Sequence, residues 1–247
     1  MNKITIAVIV VIVLGFGGLI TYTALNNNQH EAIDYTQYDA AKIIPADDNN
    51  GNIADHVRGK EDSPVVLVEY ADFQCPGCAS AIKTVNSIYK SYGDRVAFVF
   101  RHFPLNGHPN ARSAAAASEA AAKQGYFWEM ADTLYSNRAS WVDETGSSRT
   151  EQYVELFAGI APNGNIEQFR TDMNDEMIAK HISFDYDLGR NVSDVTATPS
   201  FYVNGKNVYI MDAKSQDELK QLVEDELNAA LKENGMETGP AKTSLTK

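Results

Sequence analysis

The sequence Phe73-Gln74-Cys75-Pro76-Gly77-Cys78 lies at the junction between an apolar run and an amphipathic run. Residues 65–70 are β-branched and almost wholly apolar, which is typical of a strand buried on both faces of a sheet. After the cysteines, apolar residues recur at helical spacing until Gly93-Asp94 supplies a stop signal. Cys75 is therefore predicted at a helix N-terminus, where unpaired N–H groups and the helix dipole favour a thiolate. Pro76 suits the first helical turn, because the N–H that it lacks needs no partner there.

These two cysteines are the only ones in the chain, so the pair must supply any chemistry by itself. A zinc site needs about four ligands, and no two histidines lie at helical ligand spacing among His30, His56, His102, His108 and His181. A purely structural disulfide explains the motif poorly, because closing so short a loop restrains little of the unfolded chain. We therefore predict a redox-active disulfide between Cys75 and Cys78, with no bound cofactor and no metal.

Composition limits the classes of partner. At 247 residues with 44% hydrophobic content, the chain can bury a real core in one large domain or two small ones. Its formal charge of −12 argues against nucleic acid binding, because a phosphate-binding face needs clustered Lys and Arg. Proteins are the expected partners.

The N-terminal 25 residues predict a membrane anchor. Residues 4–25 carry no charge, and about twenty helical residues span a bilayer core of roughly 30 Å. Lys3 precedes the run and no Lys or Arg follows until Lys42, which places the N-terminus inside and the rest outside. The run exceeds the roughly 7 to 15 residues of a signal-peptide core, which favours an uncleaved anchor over a cleaved signal peptide. We expect a single-pass cell-membrane protein whose catalytic domain lies on the extracytoplasmic side, where disulfides persist.

The part after the anchor begins and ends in polar segments. Residues 26–58 predict a polar tether, with one short edge strand at Ile43-Ile44 as its only apolar pair. Residues 234–247 contain two glycines and one proline and predict a flexible tail.

Three structured segments lie between these polar ends. Residues 59–108 predict a strand, the cysteine helix and a second, parallel strand. Residues 109–191 have helical periodicity throughout and predict an inserted all-helical domain. Residues 192–233 predict a hairpin around Asn204-Gly205 and a last helix capped by Ser215. The order of elements is that of an α/β thioredoxin fold interrupted by helices.

Four longer motifs occur in a fixed order along residues 53–233. They are Asp55-His56-Val57-Arg58-Gly59, Val68-Glu69-Tyr70-Ala71-Asp72-Phe73-Gln74-Cys75-Pro76-Gly77-Cys78, Phe98-Val99-Phe100-Arg101-His102-Phe103-Pro104-Leu105 and Thr198-Pro199-Ser200-Phe201-Tyr202-Val203-Asn204-Gly205. Together they resemble the DsbA-like thiol-disulfide oxidoreductases, most closely the membrane-anchored branch of single-membrane bacteria. The resemblance implies a thioredoxin fold, exported cysteine-containing proteins as substrates, and a cis peptide bond at Thr198-Pro199 packed against Cys75.

The resemblance also implies unequal roles for the two cysteines. Cys75 would be the exposed one and form the mixed disulfide with substrate, and Cys78 would leave when the disulfide is attacked. Pro199 would lie against Cys75, with the Thr198 backbone free to pair with an extended substrate. Gly77 departs from the Pro-His pair of the strongest oxidants, so the oxidising strength stays open.

Three polar residues near the strand ends are further candidates. Glu69 interrupts the apolar strand six residues before Cys75, where it either accepts or relays a proton for Cys78 or pairs with a Lys or Arg. Arg101 and His102 end the neighbouring strand, on the side where such sheets carry their sites. His102 is predicted to belong to a solvated loop.

The resemblance favours a monomeric disulfide oxidase that acts on unfolded or newly exported proteins. A quinone-linked membrane protein of the DsbB or VKOR kind would reoxidise it. The alternative is a reductase or isomerase on the same fold, although isomerases of this superfamily usually carry a separate dimerisation domain, and the segment before Ile53 is too short and polar for one. A redox-silent peptide-binding chaperone is a third alternative, disfavoured by two intact cysteines.

Overall fold

A mixed sheet carries the cysteine motif in the computed structural model, which describes residues 33–210 and 213–241. In chain order its strands are β1 (His56–Gly59), β2 (Val66–Ala71), β3 (Ala97–His102), β4 (Ser200–Val203) and β5 (Lys206–Val208). They lie side by side in the order β1-β3-β2-β4-β5. Strands β2 and β3 are parallel, and the other neighbouring pairs are antiparallel. The thioredoxin-like α/β architecture predicted from the order of elements is confirmed.

The helices follow the predicted plan. They are α1 (Pro76–Tyr92), α2 (Ala111–Ala122), α3 (Phe127–Ser136), α4 (Arg138–Trp141), α5 (Gly146–Ile160), α6 (Ile166–Asp172), α7 (Glu176–Asn191) and α8 (Gln216–Glu233). Helix α1 joins β2 to β3, helices α2 to α7 form the insert between β3 and β4, and α8 follows β5. A 3₁₀ helix at Tyr35–Gln37 precedes the sheet. The chain divides into a unit that ends at Asp34 and a unit that begins at Tyr35.

The hairpin turn at Asn204-Gly205 forms where the sequence predicts it. Both residues have positive φ, of 47° and 81°, as a two-residue type I′ turn requires. The tight turn lets strand pairing resume at once, with Lys206 opposite Val203. Strand β5 therefore covers Lys206–Val208 and begins two residues before the apolar pattern at Val208 that predicts the second strand of the hairpin.

Strand β2 is buried on both faces, as its apolar run predicts. Leu67 packs in a cluster with residues of α1 and α8 on one face, including Val223 and Leu227. Val68 packs with Val99 on the opposite face. Where β2 ends, Phe73 joins the core of the helical insert. The cysteine motif therefore starts at the point where the sheet, α1 and the insert meet.

The prediction of a polar tether is wrong for residues 35–58. Ile44 is only 4% exposed and packs with residues of α7. Ile43-Ile44 forms no strand, and the edge strand is β1, which begins at His56. The physical reason is the buried Arg101 guanidinium, which donates to the Ala40 and Lys42 carbonyl oxygens at 2.7 Å each. The polar segment folds onto the domain because it supplies these acceptors; residues 26–32 lie outside the described residues.

The prediction of a flexible tail is wrong for residues 234–241. Arg95 donates to the carbonyl oxygens of Glu237 and Gly239, both at 2.8 Å, and Gly239 N donates to Asn228 Oδ1 at 2.6 Å. Ala241 N donates to Ser91 O at 2.7 Å, which fixes the segment beside the end of α1. The composition of residues 234–241 does not indicate that their carbonyl oxygens bind the guanidinium of Arg95, which is distant in sequence.

The predicted anchor and the last six residues of the tail lie outside the described residues. Within the part that the structure describes, no helix is long and apolar enough to cross a bilayer.

Candidate active site

Cys75 is the N-cap residue of α1, and Pro76 occupies the first turn, as predicted. The Cys75 N–H donates to Asp72 O at 3.0 Å, and the Cys75 carbonyl oxygen accepts from Ala79 N at 3.1 Å. No side chain caps this helix. The free N–H groups of the first turn are therefore available to the Cys75 sulfur.

The two thiols are free and differ strongly in their surroundings. Both are buried, with Cys75 6% exposed and Cys78 1% exposed, so the expectation of an exposed Cys75 is wrong in this structure. A hydrogen bond from the Cys78 thiol, aided by the backbone N–H groups of Cys78 and Gly77, lowers the pKa of Cys75 to about 5 against the cost of burial. Burial, followed by the interactions with Cys75, raises the pKa of Cys78 well above its ordinary value. At neutral pH the pair therefore holds one thiolate, on Cys75, and one thiol, on Cys78.

The Thr198-Pro199 peptide bond is cis, which confirms that prediction. Cys75 Sγ lies 3.3 Å from the Thr198 carbonyl oxygen, to which it donates only in its protonated thiol form. A Cβ atom placed on Gly77 would lie 3.4 Å from Pro199 Cδ and 3.5 Å from Cys75 Sγ. The structure thus brings Cys75, Gly77, Thr198 and Pro199 into one small region, although more than a hundred residues separate the two motifs.

Glu69 lies in the middle of the sheet, opposite Phe100 of β3 and Phe201 of β4. Desolvation raises the pKa of its carboxyl to about 7, with the Arg58 charge acting in the opposite direction. Glu69 also contributes to the raised pKa of Cys78. It borders a cavity of about 10 Å³ that Arg58 and Trp128 also line, which is room for about one water molecule.

The predicted alternative of an ion pair at Glu69 has no counterpart among the described residues, where no Lys or Arg lies within ion-pair distance of it. The guanidinium of Arg58 is instead held between two rings, 4.4 Å from the Tyr89 centroid and 4.5 Å from the Trp128 centroid. Its Nη2 donates to Asn86 Oδ1 at 2.8 Å. Glu69 is therefore a carboxyl in a poorly solvated position, with a pKa suited to proton transfer near neutral pH.

With this geometry established, comparisons with known proteins identify the family. The family model described as thioredoxin matches residues 51–225. The chain belongs to this thioredoxin family. The structure is similar to oxidised BdbD from Bacillus subtilis, with 27% identity and a TM-score of 0.59, over 75% of this chain and 98% of that one.

Two further solved structures are similar to this thioredoxin-family chain. A thioredoxin-like oxidoreductase from Silicibacter pomeroyi is 25% identical with a TM-score of 0.52, over 72% of this chain and 96% of that one. The alpha-DsbA1 protein from Wolbachia pipientis shares the fold, at 22% identity and a TM-score of 0.58, over 73% of this chain and 94% of that one. The assignment made from the four motifs is confirmed for an oxidoreductase of the thioredoxin fold, and the membrane-anchored branch stays a prediction.

The curated relatives are longer proteins. The Na⁺/H⁺ antiporter NhaA 1 of Mycolicibacterium vanbaalenii is 40% identical over 154 residues, which is 61% of this chain and 23% of that protein. The antiporter NhaA 3 of Salinispora tropica is 39% identical over 165 residues, which is 66% of this chain and 23% of that protein. This thioredoxin-family chain therefore spans about a quarter of the length of these relatives. Antiport is the activity named for those longer proteins.

Sequence reasoning missed the residues that fix the loop before Cys75. The buried Asp72 carboxylate accepts from Gln74 N at 2.7 Å and from Leu105 N at 2.9 Å, and it lies 2.6 Å from His108 Nδ1. Gln74 Oε1 accepts from Asn110 N at 2.7 Å. These bonds tie the cysteine loop to the loop after β3. The available signal was Asp72. An aspartate side chain just before a helix often accepts a hydrogen bond from the backbone N–H two residues later.

The prediction that His102 lies in a solvated loop is wrong. Arg101 and His102 are the last residues of β3 and are 0% and 1% exposed, because the insert covers that end of the strand. Arg101 pairs with Asp55 at 2.7 Å, and His102 Nε2 lies 2.7 Å from Glu119 Oε1. Both side chains therefore belong to a buried polar cluster, and neither forms a hydrogen bond with Cys75.

Proposed function

We propose that the chain is a disulfide oxidase for exported proteins. A substrate thiolate attacks Cys75 Sγ, the Cys75–Cys78 bond breaks, and Cys78 leaves and takes up a proton. A second thiolate of the same substrate then attacks the substrate sulfur of the mixed disulfide and releases Cys75 as a thiolate. Two substrate thiols lose two electrons and two protons, and the enzyme disulfide gains the two electrons.

The observation that carries the proposal is the position of Cys75 at the N-terminus of α1 beside the Cys78 thiol, which lowers the pKa of Cys75 to about 5. A stable thiolate favours the reduced enzyme, and this makes its disulfide a good electron acceptor. The nucleophilic cysteine of thioredoxin has a pKa of about 7 and that of DsbA one of about 3.5. At pH 7, lowering the thiol pKa from the thioredoxin value of about 7 to about 5 favours the reduced form roughly 50-fold. This is about 2.3 kcal/mol, which raises the two-electron redox potential by about 50 mV.

An unfolded client has room beside Pro199. A groove of about 590 Å³ borders Pro199 and is also lined by Ala197, Ser200 and Tyr209. An extended peptide in this groove would pass Pro199, and the carbonyl oxygen of the preceding residue, Thr198, lies 3.3 Å from Cys75 Sγ. This geometry supports unfolded cysteine-containing proteins as substrates and requires one copy of the chain only, so we propose a monomer.

The remaining parts of the proposal rest on the sequence. The uncharged run at residues 4–25 supports a single membrane anchor with the catalytic domain on the extracytoplasmic side. An anchored oxidase must pass its electrons onward, and a quinone-linked membrane protein of the DsbB or VKOR kind would accept them. Cys75 and Cys78 then form the whole redox centre, without a further cofactor.

The test is transfer of a disulfide to a reduced, unfolded protein with two cysteines. Oxidised full-length enzyme at equal concentration should oxidise about one pair of substrate thiols per enzyme, and the Cys75→Ser variant should oxidise none. Ser91→Ala, at the far end of α1, is the matched control and should leave transfer unchanged. If the oxidised enzyme leaves the substrate reduced while the reduced enzyme cleaves substrate disulfides, the protein is a reductase and the proposal fails.

A further inference from the structure

A second cluster of reactive side chains lies in the interior, where the sheet meets the helical insert. It contains His56 of β1, His102 at the end of β3, Glu119 of α2, and His181 and Asp185 of α7. The side chain of His56 is 16% exposed, and those of the other four are 2% exposed or less. Elements that are distant in sequence therefore converge on one buried polar site.

The ring nitrogens of this cluster gather around one carboxylate oxygen. Glu119 Oε1 lies 2.7 Å from His56 Nε2 and 2.7 Å from His102 Nε2. His181 Nε2 lies 3.9 Å from Glu119 Oε1 and 3.7 Å from Asp185 Oδ2, which is too long for a hydrogen bond. The ligand atoms of His56, Glu119 and His181 all lie within 4.8 Å of one another. Ligand atoms about 2.1 Å from a tetrahedral zinc ion are separated by roughly 3.4 Å, so small movements would complete a site.

The charges of the cluster leave a place for a cation. Asp55, Glu119 and Asp185 are buried carboxylates, and the neighbouring guanidinium of Arg101 pairs with Asp55 at 2.7 Å. No Lys or Arg of the described residues pairs with Glu119 or Asp185, and a buried carboxylate without a cation beside it is costly. Asp185 Oδ1 is buried and has no hydrogen-bond partner among the described residues. One divalent ion would balance the charge.

We propose that His56 Nε2, His181 Nε2 and Glu119 Oε1 bind a zinc-type divalent ion, with His102 and Asp185 at its border. Imidazole nitrogen suits zinc, whereas calcium and magnesium prefer sites made of oxygen atoms. The ion would link β1 to helices α2 and α7 and so hold the insert against the sheet. It lies outside the cysteine motif and takes no part in electron transfer.

The binding experiment must first remove the two cysteines, because a reduced dithiol can itself bind zinc. The full-length Cys75→Ala/Cys78→Ala variant is treated with a chelator, dialysed and titrated calorimetrically with zinc chloride, and separately with calcium chloride. We expect one zinc ion per chain and no calcium binding. Saturation with zinc at about a hundredfold excess over Kd should raise the thermal midpoint by on the order of 5 °C. Cobalt(II) should give the visible absorption bands of a four-coordinate ion with nitrogen and oxygen ligands.

Two variants in this cysteine-free background locate the site. His181→Gln and Glu119→Gln should each weaken zinc binding by at least about 100-fold. Loss of a residue that only hydrogen-bonds to a metal ligand already costs up to about 100-fold in affinity, and these residues are proposed as ligands. His108→Gln, a histidine outside the cluster, is the matched control and should bind zinc unchanged. If Glu119→Gln does not fold, the result for His181→Gln decides. No zinc uptake, uptake that survives both substitutions, or binding of calcium in place of zinc would overturn the proposal.

Discussion

Replacing Glu69 by glutamine removes an ionisable group from the centre of the sheet with almost no change in side-chain size. Burial raises the pKa of this carboxyl in the folded protein to about 7, from an ordinary value of 4.5. The folded protein therefore binds this proton more tightly than the unfolded chain does. The resulting stability is fully present below about pH 4.5 and is lost as the pH rises through about 7. At about 1.4 kcal/mol per pH unit, the loss above pH 7 is about 3 kcal/mol.

The Glu69→Gln variant carries no such proton, so it should escape this loss. Urea unfolding should show the variant more stable than the wild type by about 3 kcal/mol at pH 8 and nearly equal to it at pH 4. Glu155→Gln, on the exposed face of α5, is the matched control and should change stability equally at both pH values. A Glu69→Gln effect that is absent at pH 8, or the same at both pH values, would refute the reasoning.

The same substitution should lower activity if Glu69 exchanges a proton with Cys78. Loss of a general acid or base commonly costs about 100-fold or more in rate. The rate of disulfide transfer at pH 7 should therefore fall in Glu69→Gln while the alkylation rate of Cys75 stays within about twofold. An unchanged transfer rate would leave Glu69 with a stability effect only and would remove it from the proton path.

Three further outcomes are expected. Iodoacetamide should label Cys75 of the reduced protein with a midpoint at about pH 5; a midpoint above pH 8 would contradict the stabilised thiolate. Cys78→Ser should accumulate mixed disulfides between Cys75 and client proteins on non-reducing gels, and stronger trapping by Cys75→Ser would reverse the roles. Arg101→Met leaves the Asp55 carboxylate buried without its partner, so it should destabilise the fold by about 3 to 5 kcal/mol in urea unfolding. A loss below about 1 kcal/mol would show that the pair is not needed.

The parts of the fold that the sequence predicted are those that local patterns control. The helical periodicity of residues 109–191 predicted the insert, and Asn204-Gly205 predicted the hairpin, because periodicity and turn chemistry act over a few residues. The cysteine at the start of α1 followed from the change from strand to helix pattern. The cis bond at Thr198-Pro199 came from the family resemblance, since nothing local in the chain indicates it.

The missed parts are polar groups whose partners are distant in sequence. Glu119 lies in α2 and was not among the candidates, yet it is buried against histidines from β1 and β3. Arg101 takes its acceptors from residues 40, 42 and 55, a segment whose polarity suggested a tether. Burial of a charged group depends on which elements meet in the fold, and no pattern along a single element carries that information.

If Cys75–Cys78 is an oxidising pair, its redox potential must lie well above that of thioredoxin. The full-length protein is equilibrated with defined ratios of reduced and oxidised glutathione at pH 7, and the oxidised fraction is counted by thiol alkylation. The pKa of Cys75 predicts a potential at least about 50 mV above that of thioredoxin, which is at or above about −220 mV. A potential at or below the thioredoxin value of about −270 mV would contradict the account.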